Sequence, residues 1–96
     1  MTAYLISYDL HRVRNYEKLY QLMASWGAER LTESLWLAKL VGPAPVVRDI
    51  VAASLDNDDT VAVVQLQQGA DWATMRVSAT ANAWLSANVT PAQIAA

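Results

Sequence analysis

The chain contains no cysteine and a single histidine. The absence of cysteine excludes a disulfide framework, a thiolate nucleophile and a zinc finger, and one histidine is too few for a histidine-rich metal site. Three glycines and three prolines are few for 96 residues, which argues against a disordered or low-complexity chain. At this length the sequence predicts one domain over residues 1–96 and no second module.

Long apolar runs are also missing from the sequence. The first residues carry no basic stretch and Asp9 interrupts the first apolar segment, so the sequence predicts no signal peptide. Residues 77–96 carry no charge, but polar side chains are scattered through them, and we expect no membrane span there. The sequence therefore predicts a soluble cytoplasmic protein with no membrane partner.

Basic residues are scarce, and the charges are unevenly distributed. The net charge is −2 and the isoelectric point is about 5.1. Residues 1–55 hold six basic and five acidic residues, whereas residues 56–96 hold one arginine against four aspartates. Because dedicated nucleic-acid binders are usually basic, this balance argues against tight, sequence-independent binding to nucleic acid.

Apolar periodicity predicts alternating strands and helices along residues 2–66. The helical spacing that begins at Tyr16 is the clearest signal, with Asn15 as its expected N-cap and Gly27 as its expected stop. The predicted elements are a strand at 2–10, a helix at 16–26, a weak strand at 28–32, a continuously apolar strand at 34–41, a helix through 47–55 and a strand at 60–66. The expected apolar stripe of the second helix consists of Val47, Ile50, Val51 and Leu55.

This β-α-β-β-α-β order is that of the ferredoxin-like, or split βαβ, arrangement. We therefore expect an α+β fold, with an antiparallel sheet and two helices on one face, formed by the core at 2–66. Leu5 and the second apolar side of strand 34–41 predict that the other face is covered, either by a partner subunit or by the extension at 67–96. Alanine content predicts a helix at 78–88, which gives the extension a helical character. The expected packing residues of the extension are Trp72, Met75, Trp84 and Leu85.

Asp9 is the first candidate functional residue, because it ends the first predicted strand beside a basic loop. A carboxylate there is well placed to bind Mg²⁺ or to orient a water molecule. One carboxylate is too few for a dedicated metal site, but a two-fold axis near the strand end would bring two Asp9 side chains together. The structural alternative is that Asp9 accepts hydrogen bonds from the loop that follows it.

The basic loop beside Asp9 contains the second group of candidates. His11, Arg12 and Arg14 form the local basic cluster of the chain. Their functional interpretation is contact with phosphate groups, with His11 as a proton carrier. Their structural interpretation is a solvated loop whose charges offset those of Asp9 and Glu17.

Two further groups of side chains have both a functional and a structural interpretation. Asp56, Asp58 and Asp59 resemble the start of a calcium-binding loop, but the required glycine and the closing glutamate are missing, so we interpret them as a turn. Trp36 and the tyrosines could stack on nucleobases. Aromatic residues at strand and helix spacing more often belong to a core.

Three short segments resemble the Cas-two-like superfamily. They are Tyr-Leu-Ile-Ser-Tyr-Asp-Leu at 4–10, Glu-Ser-Leu-Trp-Leu at 33–37 and Asp-Asp-Thr-Val-Ala-Val-Val at 58–64, with a helix ending at Gly27 between the first two. The superfamily includes the second CRISPR-adaptation nuclease, VapD-type ribonuclease toxins and a SinR-like branch. The resemblance is closest to the SinR-like branch and covers residues 3 to about 66.

The resemblance implies a ferredoxin-like fold and a homodimer in which two sheets face each other. It also implies that Asp9 matches the metal-binding, catalytic position of the nuclease members, which cleave phosphodiester bonds of RNA or DNA. The expected function is therefore a homodimeric, Mg²⁺-dependent nuclease that acts on RNA in preference to DNA. Asp9 would be its catalytic metal ligand, and His11, Arg12 and Arg14 would contact nucleic-acid phosphates.

Two features of this sequence differ from the CRISPR-associated members. Those members are more basic than this chain, and the extension at 67–96 has no match among the motifs above. Because a fold does not fix a function, the alternative expectation is a non-catalytic dimeric interaction or regulatory protein. Such a protein would be an adaptor or a toxin–antitoxin component, and it would bind a protein partner.

Overall fold

The computed structural model describes residues 1–10 and 16–89. Four strands form one antiparallel sheet, and the described residues also form three helices. This architecture confirms the predicted α+β class. The elements are β1 (Thr2–Asp9), α1 (Glu17–Ser25), β2 (Glu29–Thr32), β3 (Leu35–Leu40), α2 (Ala44–Ala52), β4 (Thr60–Leu66) and α3 (Ala79–Asn88).

The sheet has the strand order β2-β3-β1-β4, and each neighbouring pair of strands is antiparallel. Central strand β1 pairs with both neighbours, so that Ile6 lies opposite Trp36 on β3 and Val63 on β4. The two edges are β4 and the short β2, whose register shifts after Arg30. Because directly opposite residues share a face, this register decides which side chains meet on each side of the sheet.

Helices α1 and α2 pack against one face of the sheet. Successive buried positions on each helix are four residues apart, which is the spacing that keeps side chains on one helical face. The main members of this cluster are Tyr4, Ile6 and Tyr8 from β1, Leu19 and Met23 from α1, and Val47 and Val51 from α2. Burial of these side chains is the chief apolar contribution to the stability of this half of the domain.

The ends of both helices follow from local chemistry. Gly27 has a positive φ of 63°, which confirms it as the residue that stops α1. Tyr16 is the N-cap of α1, while the expected cap Asn15 lies outside the described residues. Helix α2 begins directly after Pro43, and Pro45 lies in its first turn.

Two residues of the expected stripe on α2 are therefore placed differently from the prediction. Ile50 is 44% exposed, and Leu55 lies beyond the end of the helix. With the helix starting at Ala44, Val47 and Val51 are the positions that turn toward the sheet.

Part of the second face of the sheet is covered by the C-terminal segment of the chain. Leu85 and Val89 pack against Ala3 and Leu37 in a second buried cluster, and Trp72 and Trp84 border it. The sequence allowed either a partner subunit or the extension to cover this face. In the structure, the extension packs on it. Both faces of β3 are accordingly buried, as its continuous apolar character predicted.

Hydrogen bonds form within the extension and also between the extension and the sheet. The Gly69 amide and the Gln68 Nε2 both donate to the Val89 carbonyl, at 3.0 and 2.7 Å. Thr80 Oγ1 donates to the Glu29 carboxylate on β2 at 3.2 Å. Met75, an expected packing residue, is instead 73% exposed, because it sits in a bend beside Arg76, whose φ of 62° is left-handed.

None of the described helices is long and apolar enough to cross a membrane.

Candidate functional site

Asp9 is the last residue of central strand β1, and it is exposed. Its backbone is held by β4, where Thr60 is its register partner and Thr60 Oγ1 donates to the Asp9 carbonyl at 3.5 Å. Strand alternation puts Asp9 on the same sheet face as Leu5 and Ser7. The structure thus places an accessible carboxylate at a fixed point on the end of the sheet.

A cleft of about 220 Å³ opens beside this strand end. Its walls come from the end of β1, from α1, from β2 and from the turn between β2 and β3. Polar groups predominate among its lining residues, so it is an open polar cleft and not an apolar pocket. The lining residues are Tyr8, Asp9, Leu10, Tyr20, Arg30, Glu33 and Ser34.

One backbone carbonyl organises the wall of this cleft. The Glu33 carbonyl accepts hydrogen bonds from Arg30 Nε at 3.1 Å and from Tyr8 Oη at 3.5 Å. Tyr8 Oη in turn accepts from Trp36 Nε1 at 3.1 Å. These bonds fix the turn between β2 and β3, because they join the Glu33 carbonyl to side chains of β1 and β2.

The guanidinium of Arg30 lies near two aromatic rings. Its Cζ is 5.5 Å from the centroid of Tyr20 and 5.2 Å from that of Trp36, both within cation–π range. Sequence reasoning did not single out Arg30. The signal that could have found it is the register that pairs Arg30 with Trp36 across β2 and β3, which cannot be read from either strand alone.

The acidic turn before β4 lies at the same end of the sheet as Asp9, because Thr60 pairs with Asp9. Carboxylate oxygens of Asp56, Asp58 and Asp59 all lie within 4.8 Å of one another. Asp59 Oδ1 accepts from Tyr16 Oη at 3.1 Å, and Oδ2 accepts from the Asp56 amide at 2.9 Å. These contacts close the turn and join it to the start of α1, in agreement with the structural interpretation.

The predicted phosphate-contacting residues His11, Arg12 and Arg14 lie outside the described residues. Their role remains a prediction, as does acceptance by Asp9 of hydrogen bonds from their loop. Of the predicted site residues, the described part of the chain thus contains Asp9. The structure adds Tyr20, Arg30 and Glu33 as neighbours in the cleft that Asp9 lines.

Comparison with known proteins gives a likeness to a solved structure. No family model and no curated protein matches the chain. Among solved structures, the crystal structure of the hypothetical protein TT1823 from Thermus thermophilus is similar, with a TM-score of 0.57 and 19% sequence identity. The likeness covers 77% of this chain and 92% of that one. At this identity it is a likeness of fold alone.

Proposed function

We propose that the chain is a ferredoxin-like domain of the Cas-two-like type. The strand order β2-β3-β1-β4 supports this, since with antiparallel pairing throughout it matches the split βαβ arrangement. The short motifs at 4–10, 33–37 and 58–64 support it further, because they occupy β1, the β2–β3 turn with the start of β3, and the start of β4.

We propose that the protein is a metal-dependent nuclease that cleaves RNA in preference to DNA. The observation that carries this proposal is the exposed Asp9 carboxylate, held at the end of the central strand next to a polar cleft. Phosphodiester cleavage requires stabilisation of the charge that develops on phosphate, and a divalent cation on a carboxylate can supply it. Cleavage of labelled RNA by wild type and by an Asp9 variant tests the proposal.

Asp9 suits magnesium better than a cation that needs many protein ligands. Mg²⁺ keeps several waters and is commonly bound by one or two carboxylates together with substrate phosphates. The exposed carboxylate of Asp9 can supply one such ligand to Mg²⁺. Asp9 does not belong to the group of three neighbouring carboxylates found among the described residues, Asp56, Asp58 and Asp59. When bound, the ion would lower the pKa of a water molecule and offset phosphate charge. His11, Arg12 and Arg14 would contact the flanking phosphates.

We propose further that the active protein is a homodimer. The C-terminal segment covers Ala3 and Leu37 on the second sheet face, but Val64 on edge strand β4 is 52% exposed there. Val64 lies opposite Leu5, and exposed Ala62 lies opposite Ser7, so part of this face is open at β1 and β4. A second copy docked there would bring the two Asp9 strand ends close to a shared axis.

Replacing Val64 by glutamate is expected to weaken the dimer by about tenfold or more, because an interface would then bury an unpaired charge. Sedimentation velocity over a concentration series measures the shift toward monomer. Gln65→Glu is the matched control, because it adds the same charge one residue along β4, on the opposite face. Leu5→Glu is a poorer probe, since Leu5 packs against the second cluster and its loss would disturb the fold.

Equal sedimentation of the Val64→Glu and Gln65→Glu proteins as dimers would place the interface elsewhere on the molecule. A wild type that stays monomeric at all concentrations would remove the dimer from the proposal. In that case one Asp9 carboxylate would have to serve each cation.

The second candidate function is a non-catalytic interaction or regulatory protein on the same fold. The charge balance favours it, because residues 56–96 carry four aspartates against one arginine and nucleic acid repels such a surface. This candidate predicts a stable dimer, no metal-dependent cleavage and recovery of a protein partner by pull-down. Recovery of nucleic acid alone would count against it.

A further inference from the structure

We propose that the cleft beside Asp9 is a stacking subsite for one unpaired nucleobase, built on Tyr20 and Arg30. The inference rests on the proposed nuclease function and names the part of the strand that the protein holds next to Asp9. It identifies Tyr20 and Arg30 as positioning residues.

Tyr20 differs from the other tyrosines in its exposure. Tyr4, Tyr8 and Tyr16 are 3 to 6% exposed and belong to the core, whereas Tyr20 is 41% exposed. The neighbouring positions Leu19 and Met23 already supply the buried face of α1. The Tyr20 ring therefore contributes little to the core. The Arg30 guanidinium lies over one face of the ring, and a base can stack on the aromatic surface that stays exposed.

Arg30 is held in one orientation beside that ring. The two nearby aromatic rings and the hydrogen bond from its Nε to the Glu33 carbonyl restrain the guanidinium. A planar cation fixed beside an aromatic ring is a surface on which unstacked bases bind in single-stranded nucleic acid. Because the side chain is already ordered, binding loses little rotamer entropy.

The size of the cleft favours a single base. Its volume of about 220 Å³ lies below the range of about 300–1,000 Å³ usual for ligand pockets, and it suits one planar ring. Bases in a duplex are stacked on one another and offer no free face to such a platform. Asp9 lines the edge of this cleft at the end of β1, so a base held there would put a flanking phosphate at the strand end that carries the proposed cation ligand.

The test is equilibrium binding of a fluorescently labelled single-stranded RNA to the full-length protein, measured by anisotropy at fixed salt in EDTA. Tyr20→Ala is expected to weaken binding by about tenfold or more, because base–aromatic stacking is lost. Tyr20→Phe keeps the ring and is expected to bind like wild type. Arg30→Ala is expected to weaken binding comparably. Gln21→Ala, an exposed change on the same helix, serves as the control for α1.

The same RNA annealed to its complement is expected to bind more weakly than the single strand and to ignore the Tyr20 substitutions. Unchanged single-strand binding by Tyr20→Ala, with the variant folded by circular dichroism, would overturn the proposal. Equal losses in Tyr20→Phe and Tyr20→Ala would also overturn it, since stacking would not be the cause. So would failure of folded wild type to bind the single strand.

Cleavage assays on the same proteins separate this inference from the proposed function. Tyr20-dependent binding without cleavage in Mg²⁺ would support the base subsite and contradict the nuclease. Asp9-dependent cleavage that Tyr20→Ala leaves unchanged, together with unchanged binding, would support the nuclease and contradict the subsite.

Discussion

Asp9→Asn is expected to lower cleavage of RNA in Mg²⁺ by at least about a hundredfold. Asparagine keeps the shape of the side chain but removes the negative charge that would hold the cation, and with it several kcal/mol of transition-state stabilisation. The fold should be unaffected, because Asp9 is exposed and its backbone pairing with Thr60 does not depend on the carboxylate. Initial rates on labelled single-stranded RNA, with circular dichroism on each protein, measure both effects.

Asp71→Asn is the matched control for this experiment. It makes the same chemical change at an exposed aspartate of the extension, outside the residues that line the cleft. This variant is expected to cleave RNA at the wild-type rate. That result would show that the loss of cleavage in Asp9→Asn does not come from the changed net charge of the protein. Equal rates for Asp9→Asn and wild type would remove Asp9 from the mechanism.

Leu85→Asp is expected to destabilise the protein by about 3 kcal/mol or more, because it places an unpaired charge in an apolar cluster. Leu85 is 4% exposed and packs with Ala3, Leu37 and Val89 over the second face of the sheet. A loss of this size is a large fraction of the stability of a small domain. Urea unfolding followed by circular dichroism measures it as a lower midpoint.

The comparison for Leu85→Asp is Ala83→Asp, which adds the same side chain at an exposed position of α3. This variant is expected to lower the free energy of unfolding by less than about 1 kcal/mol, which is the difference in helix propensity between alanine and aspartate. Similar midpoints for the two variants would mean that α3 does not pack on the sheet in solution. The extension would then not be packed on the sheet, and a partner could cover the second face instead.

Local signals in the sequence were sufficient for the strands and the first helix. The alternation along β1 indicates the extent of that strand, and the polar turn before β4 indicates where β4 begins. Gly27 supplies the positive φ at which α1 stops. The lack of alternation along residues 34–41 indicated that both faces of β3 are covered, because a strand with one solvated face shows alternate polar residues.

The remaining features depend on contacts between distant parts of the chain. Nothing local distinguishes Ile50 from Val51 until the start of α2 is known, and Met75 is exposed because of the backbone at Arg76. The sequence did not decide whether a partner or the extension covers the second face, because either one would bury the same apolar side chains.

The candidate site shows the same division between local and long-range information. Asp9 was identified as a strand-end carboxylate and a motif position, both of which are local. Arg30 was missed because its meaning depends on register, which sets it opposite Trp36, and on the approach of Tyr20 from α1. Periodicity left the tyrosines with two interpretations, base stacking or the core, and the structure shows Tyr20 41% exposed beside the buried Leu19 and Met23.

The most direct test of the central claim is cleavage of labelled single-stranded RNA by purified wild type, with Mg²⁺ and again with excess EDTA, beside duplex DNA under the same conditions. We predict cleavage that requires Mg²⁺, is absent in EDTA, returns when Mg²⁺ is restored, and is faster on RNA than on DNA. RNA left intact in Mg²⁺, or cut equally in EDTA, would contradict a metal-dependent nuclease and would leave the dimeric interaction protein as the function to pursue.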